Sequence, residues 1–161
     1  MTTKGAEQQI FLDTNILVRA NVATAPDHQQ VIALLRVLRK RRTLLWISQQ
    51  IIREYIATVT RPQTFMKPLD IATALGRARY FQTHFRVAQD NSLVLGKLFD
   101  LLTAVAVGGK QIHDANIVAT MQVYSLKSLL TLNPADFNRF LPYINVLSPE
   151  AALVDDRSGG A

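Results

Sequence analysis

Of the twelve acidic residues in the 161-residue chain, four stand where the surrounding pattern does not call for a solvated charge. Asp13 interrupts an apolar run in QIFLDTNILV, residues 9–18. Glu54, in QQIIREYIATVT, has Gln50, Ile51, Ala57 and Thr58 as its helical neighbours, which sets the acid beside the apolar stripe. Asp114, in HDANIVATM, has Ile117 and Val118 one turn on, so it lies on the face that must pack inward. Asp136 follows the run SLLTLN by three residues. A carboxylate taken out of water is costly unless something pairs with it, and four brought together repel one another. No lysine or arginine occupies a position that would neutralise all four; Arg53 adjoins Glu54 but points about 100° away around a helix. A hard divalent cation, Mg²⁺ or Mn²⁺, is the simpler partner because it takes oxygen ligands. Carboxylate-bound divalent ions can hydrolyse a phosphodiester: they activate water, stabilise the pentavalent oxyanion and neutralise the leaving oxygen. On this reading Asp13, Asp114 and Asp136 hold the ion, while Glu54 completes a second metal position or orients the water.

Each residue also has a plainer reading. Asp13 at a strand end, or Asp136 before FNRF, can be a helix cap. His113 beside Asp114 reads as a helix-start or core neighbour, since His28 and His84 supply no second ligand at metal spacing. Asp27, Asp70 and Asp90 lie at helix starts, where free amides favour a carboxylate. Asp100 has Gly96, Lys97, Thr103 and Ala104 as helical neighbours and reads as a surface charge.

Positioning four separated acids requires a scaffold, and the chain alternates between two hydrophobic periods. QIFLD (9–13) and TLLWIS (43–48) read as short buried strands, followed later by SLLTLN (128–133) and INVLS (144–148). Helical spacing marks PDHQQVIALLRVLRK (26–40), QQIIREYIATVT (49–60, with Ser48 as its cap), PLDIATALGRARYFQTHF (68–85) and HDANIVATMQVYS (113–125). NSLVLGKLFDLLTAVAV (91–107) is expected to be closed by Gly108 and Gly109, and ADFNRF (135–140) to form a short helix. Strands separated by helices need crossover connections, so the expected fold is α/β, a mainly parallel sheet sandwiched between helices in three layers. Ligands of such sheets collect outside the carboxyl ends of the strands, the edge at which Asp13 and Asp136 fall. The expected organisation is a loosely held start (1–8), one domain over 9–148 and a carboxy-terminal tail over 149–161.

Composition bounds the rest. An apolar content of 48% excludes a disordered chain, and the absence of cysteine excludes disulfides, thiolate nucleophiles and cysteine zinc sites. No apolar run approaches the roughly 18 residues needed to cross a bilayer, and MTTKGAEQQ lacks the apolar core of a signal peptide, so a cytoplasmic protein without a membrane partner is expected. A net charge of +6 suits a polyanion such as nucleic acid. The run Arg39, Lys40, Arg41, Arg42 is the leading phosphate-binding candidate, the alternative being a solvated helix end.

FLDTN at Asp13, the glutamate of ISQQIIREY at Glu54, IHDANIVATM at Asp114 and TLNPADF at Asp136 together resemble the four signature segments of the PIN domain, specifically the VapC-type toxin ribonucleases. Order and spacing agree along residues 9–148. The resemblance implies a metal-dependent endoribonuclease leaving a 5′-phosphate and a 3′-hydroxyl, with Asp13, Glu54, Asp114 and Asp136 as the acidic metal site. It places Asn15, Thr131 and Asn133 as polar supporting residues, with Asn116 and Thr120 at variable positions. It also implies a homodimer, through early helices such as 26–40 and 68–85, held by a small antitoxin. Two other readings compete. A phosphotransferase with Asp13 as nucleophile would want a second aspartate two residues on, where this chain has Asn15. A non-catalytic RNA-binding or protein-binding domain on the same fold predicts no divalent-dependent cleavage.

Overall fold

Ile10, Phe11 and Leu12 are all fully buried, and because successive strand residues point to opposite faces, a strand buried without interruption needs cover on both sides. The computed structural model, which describes residues 7–154, supplies that cover. Its sheet has five strands: β1 (Gln9–Leu12), β2 (Leu44–Ser48), β3 (Arg86–Ala88), β4 (Ser128–Leu130) and β5 (Asn145–Leu147). They lie in the order β3-β2-β1-β4-β5, and each neighbouring pair is parallel. Register sets Leu12 beside Leu130 and Leu130 beside Leu147, so these three strands end along one edge. The helices are α1 (Thr14–Asn21), α2 (His28–Lys40), α3 (Gln49–Val59), α4 (Ile71–His84), α5 (Ser92–Ala104), α6 (Gln111–Val123) and α7 (Pro149–Val154), with a 3-10 helix at Pro134–Phe140. The expected parallel α/β sandwich is the fold observed.

Caps fix where the helices begin. Ser48 accepts from Ile51 N at the start of α3, and Asp70 accepts from Thr73 N at the start of α4. Asn91 caps α5 through Leu93 N and Val94 N; Asp90 instead pairs with Arg53 at 3.1 Å. Asp27 stands at the start of α2 with φ 63° and no side-chain capping bond.

Four elements depart from the periodic reading. The run after Asp13 is helix α1, with Ile16, Leu17 and Val18 buried consecutively. β3 is a three-residue edge strand, too short and too polar to stand out as an apolar run. α5 stops at Ala104 rather than at the glycines, because β-branched Val105 is already extended at φ −122° and ψ 123°; Gly109, at φ +58°, serves the turn into α6. Pro149–Val154 forms α7, whose Ala152 is fully buried, so packed structure continues past 148. The tail DDRSGGA and residues 1–6 lie outside the described residues.

Candidate active site

The strand order places one crevice above all others. The chain runs outward from β1 through β2 to β3, then returns to lay β4 against the other side of β1. That reversal is the switch point at which open parallel sheets bind ligands. Asp13 follows β1 there, its backbone N–H donating to Leu130 O at 3.0 Å, and Thr131 follows β4 beside it. Helices α3 and α6 begin at the same edge, since each runs antiparallel to its neighbouring strand, and they bring Glu54 and Asp114. Asp136 arrives on the 3-10 helix after β4.

Asp13 is tightly held. It is the amino-terminal cap of α1, one carboxylate oxygen accepting from Thr14 N at 2.7 Å. The other accepts from Thr131 Oγ1 at 2.8 Å and, at 3.4 Å, from Asn15 Nδ2. Asn15 also donates to Thr131 Oγ1 (3.2 Å) and accepts from Leu132 N (3.2 Å), which ties α1 to the end of β4. Thr131 is fully buried. Asn133 enters this cluster through its backbone N–H, 3.1 Å from Thr131 Oγ1, while the residue itself is exposed and lines the cleft. The cap and the site are therefore the same residue, not competing roles.

Glu54 is oriented from two sides. One oxygen accepts from Thr14 Oγ1 at 2.7 Å, the other from Gln50 Nε2 at 2.8 Å. Gln50, only 5% exposed, also donates to His113 O at 2.9 Å and accepts from Asn116 Nδ2 at 2.7 Å. A polar chain thus runs from α6 through α3 to α1, and Gln50 is its centre. Sequence reasoning passed over Gln50 and Thr14. Their signal was a polar residue one turn before Glu54 on the inward face, and a hydroxyl directly after the cap. Asn116, read as a variable position, belongs to the same chain.

The four acids share one field. Burial pushes the Asp13 carboxyl up to about 6, opposed by the Thr131 and Thr14 hydrogen bonds and reinforced by the charges of Glu54 and Asp136. Burial likewise raises Asp114 to about 6, followed by the charges of Asp13, Asp136 and Glu54, with His113 opposing. Asp136 is exposed and completes the set from the solvent side. Among the described residues no three carboxylates or imidazoles stand close enough together to enclose an ion as placed. A site of this openness suits Mg²⁺, which is held by one or two carboxylates plus waters and substrate phosphate rather than by a protein cage. The donor set, all hard oxygen, fits that ion or Mn²⁺.

Asp13 and Glu54 open into a cleft of about 440 Å³ that is also lined by Thr14, Asn15, Arg19, Arg61 and Phe65. Arg39, Lys40, Arg41 and Arg42 are not part of it. They lie where α2 ends and the chain enters β2, at the opposite edge of the sheet, about 15 Å or more from the acids for a five-residue strand. There Arg41 donates to Ala152 O and Leu153 O of α7.

A family model described as the PIN domain matches residues 10–140. The chain belongs to the PIN domain family. Among solved structures, this PIN domain resembles VapBC2 from Rickettsia felis bound to a promoter DNA fragment, with a TM-score of 0.65 at 19% identity over 88% of this chain and 98% of that one. It also resembles DNA-bound VapBC from Salmonella typhimurium, with a TM-score of 0.65 at 17% identity over 88% and 98% of the two chains. A third is VapC20 of Mycobacterium tuberculosis, a sarcin-ricin loop cleaving toxin, with a TM-score of 0.57 at 16% identity over 74% of this chain and 86% of that one. At these identities the likeness establishes the PIN fold. No curated protein matches the sequence significantly.

Proposed function

We propose that this PIN domain is a divalent-metal-dependent endoribonuclease and the toxin of a toxin-antitoxin pair. The observation that supports the reading is that Asp13 and Glu54 line one cleft at the sheet's switch point, bridged through Thr14, with Asp114 and Asp136 near enough for charge to act among the four, and with Asp13 and Asp114 both raised to about 6, chiefly by burial. Such a field stores repulsion that a cation relieves. The likeness to VapC-containing complexes and to a toxin that cleaves the sarcin-ricin loop supports RNA as the substrate and an antitoxin as the partner.

Asp13, Asp114 and Asp136 would hold Mg²⁺ or Mn²⁺. Bound there, the ion would acidify a water and stabilise the charge that develops on the phosphate. Thr131, Asn15 and Thr14 fix the direction of the Asp13 carboxylate, the kind of support that sets ligand geometry. Glu54, steered by Thr14 and Gln50, orients the attacking water or completes a second metal position. A water attacking phosphorus opposite the 3′ oxygen leaves a 5′-phosphate and a 3′-hydroxyl. The setting is the cytoplasm, where RNA and a small antitoxin are both at hand.

The test is cleavage of a structured RNA by the purified protein with Mg²⁺ or Mn²⁺ against a chelator control, with Asp13→Asn alongside. Divalent-dependent cleavage lost in the variant is the expected result. Cleavage at the wild-type rate by Asp13→Asn removes the metal-site reading and leaves a PIN fold that binds RNA or protein without cutting.

A further inference from the structure

The cleft lined by Asp13 and Glu54 also holds a cation, Arg19. Arg19 lies on α1, six residues past Asp13, and lines the same cavity as Asp13 and Glu54. Its guanidinium sits over the ring of Phe65, 4.5 Å from the centroid. One terminal nitrogen is buried without a hydrogen-bond partner, and among the described residues no carboxylate pairs with it. A guanidinium has five donors in a rigid fork, and leaving a buried one unmade is unfavourable. The Phe65 ring packs against the core and its backbone carbonyl accepts from Thr24 Oγ1 at 2.6 Å. The guanidinium is thus stacked on an aromatic ring in the cleft that Asp13 and Glu54 share. Arg61 adds a second cation to the same cleft.

Lining this cleft on the Phe65 ring, the Arg19 guanidinium offers its charge to an anion that enters together with the acids' own ligand. A phosphate has the shape for this, since a guanidinium binds phosphate in a bidentate way that lysine does not reproduce. In a polynucleotide the scissile phosphate at the acids is accompanied by neighbouring phosphates a few ångströms away. We propose that Arg19 binds a phosphate flanking the scissile one and that Phe65 is the positioning residue holding the guanidinium. This rests on the endoribonuclease reading above and assigns the substrate end of the same site.

The experiment uses Arg19→Gln, with Arg19→Lys as the variant that keeps the charge, each checked by thermal melting. Affinity for a fluorescent unpaired oligoribonucleotide of about ten nucleotides is read by anisotropy, with Ca²⁺ in place of Mg²⁺, between 50 and 200 mM salt. Loss of one phosphate contact should weaken Arg19→Gln binding about tenfold and flatten the plot of log affinity against log salt by about 0.7. Arg19→Lys should keep the slope and lose part of the affinity. Cleavage in Mg²⁺ should show a raised KM with kcat little changed. If Arg19→Gln folds and its salt slope and KM match the wild type while the wild type cuts RNA, the phosphate assignment is wrong and the nuclease reading stands. If Arg19→Gln does not fold, Arg19→Lys decides, because wild-type affinity without the planar fork overturns the assignment. If the wild type binds RNA through Arg19 but never cuts it, the phosphate site stands and the nuclease reading falls. If it neither binds nor cuts, both fall.

Discussion

Replacing Asp13 by asparagine keeps the side chain's size and its acceptor for Thr14 N, so the cap on α1 survives at little cost. What disappears is one negative charge from a field of four. Asp13→Asn should therefore fold, melt without metal at or slightly above the wild-type temperature, and lose both the Mg²⁺-induced rise in melting temperature and RNA cleavage; Asp114→Asn should do the same. Asp100→Asn, on an exposed stretch of α5, should change nothing. Thr131→Val removes the hydroxyl that fixes Asp13 and should cost about 10- to 100-fold in metal affinity or rate. Acidity follows from the same burial. Asp13 and Asp114 rise from 3.8 in the unfolded chain to about 6 in the fold. A raised acid binds its proton better when folded, so its contribution to stability is fully present below pH 3.8 and is lost as pH climbs through 6. The ion needs the deprotonated acids, so its stabilisation runs the other way. Melting curves at pH 5 and pH 7 should show a larger Mg²⁺ shift at pH 7, with the difference abolished in Asp13→Asn.

At the scale of elements, the chain Asn116–Gln50–Glu54–Thr14 ties three helices around the acids. Gln50→Leu fills nearly the same volume but leaves partly buried Asn116 and Glu54 each short of a bond. It should cost about 1–3 kcal/mol in denaturant unfolding and slow cleavage through a misdirected Glu54. Sequence made some of these elements plain and hid others for definable reasons. β1, β2 and β4 were legible because apolar runs of strand length stood between helices with clear caps, such as Ser48 and Asp70. α1 was not, because Ile16, Leu17 and Val18 are buried in succession, a pattern that periodicity cannot distinguish from a strand. β3 pairs through backbone groups next to β2 and carries too little apolar side chain to register. Glu54 and Asp114 stood out as candidates because a carboxylate on an inward face violates the pattern around it, Asp13 and Asp136 because they follow strands at the edge where ligands collect. Gln50 was not, because an uncharged polar side chain one turn from a glutamate reads as ordinary helix surface, and its burial depends on a helix 60 residues further along.

Across the whole molecule, charge and apolar surface are divided among different faces. Arg39, Lys40 and Arg42 lie at the edge remote from the acids, so exchanging them for glutamine should weaken binding of long RNA while leaving kcat on a short oligonucleotide unchanged, as gel shift and single-turnover cleavage would show. Apolar side chains are exposed on α4 (Ile71, Leu75, Tyr80) and α5 (Leu93, Leu95, Phe99), and on α2 half-buried Ile32 lines a surface cavity with Tyr80 and Phe85. For the homodimer proposed with the toxin reading, this adds α5 to α2 and α4 as an expected contact. Light scattering should give a dimer at micromolar concentration and a monomer for Phe99→Asp, and a wild-type monomer would remove the proposal. The strand order carries one further consequence, in time rather than in space. Thr131 and Asp13 are hydrogen-bonded across 118 positions of sequence, and β4 is the strand that unites them. A chain emerging from the ribosome amino terminus first has Asp13 and Glu54 early, but no partner for β1 on its second side until β4 is made. Every nascent chain that stops short of β4 lacks Thr131 and Asp136, so the nuclease proposed above should be inactive until β4 and the 3-10 helix have been made. Chains stalled at residue 127 should accordingly show no divalent-dependent RNA cleavage, whereas chains released at full length should.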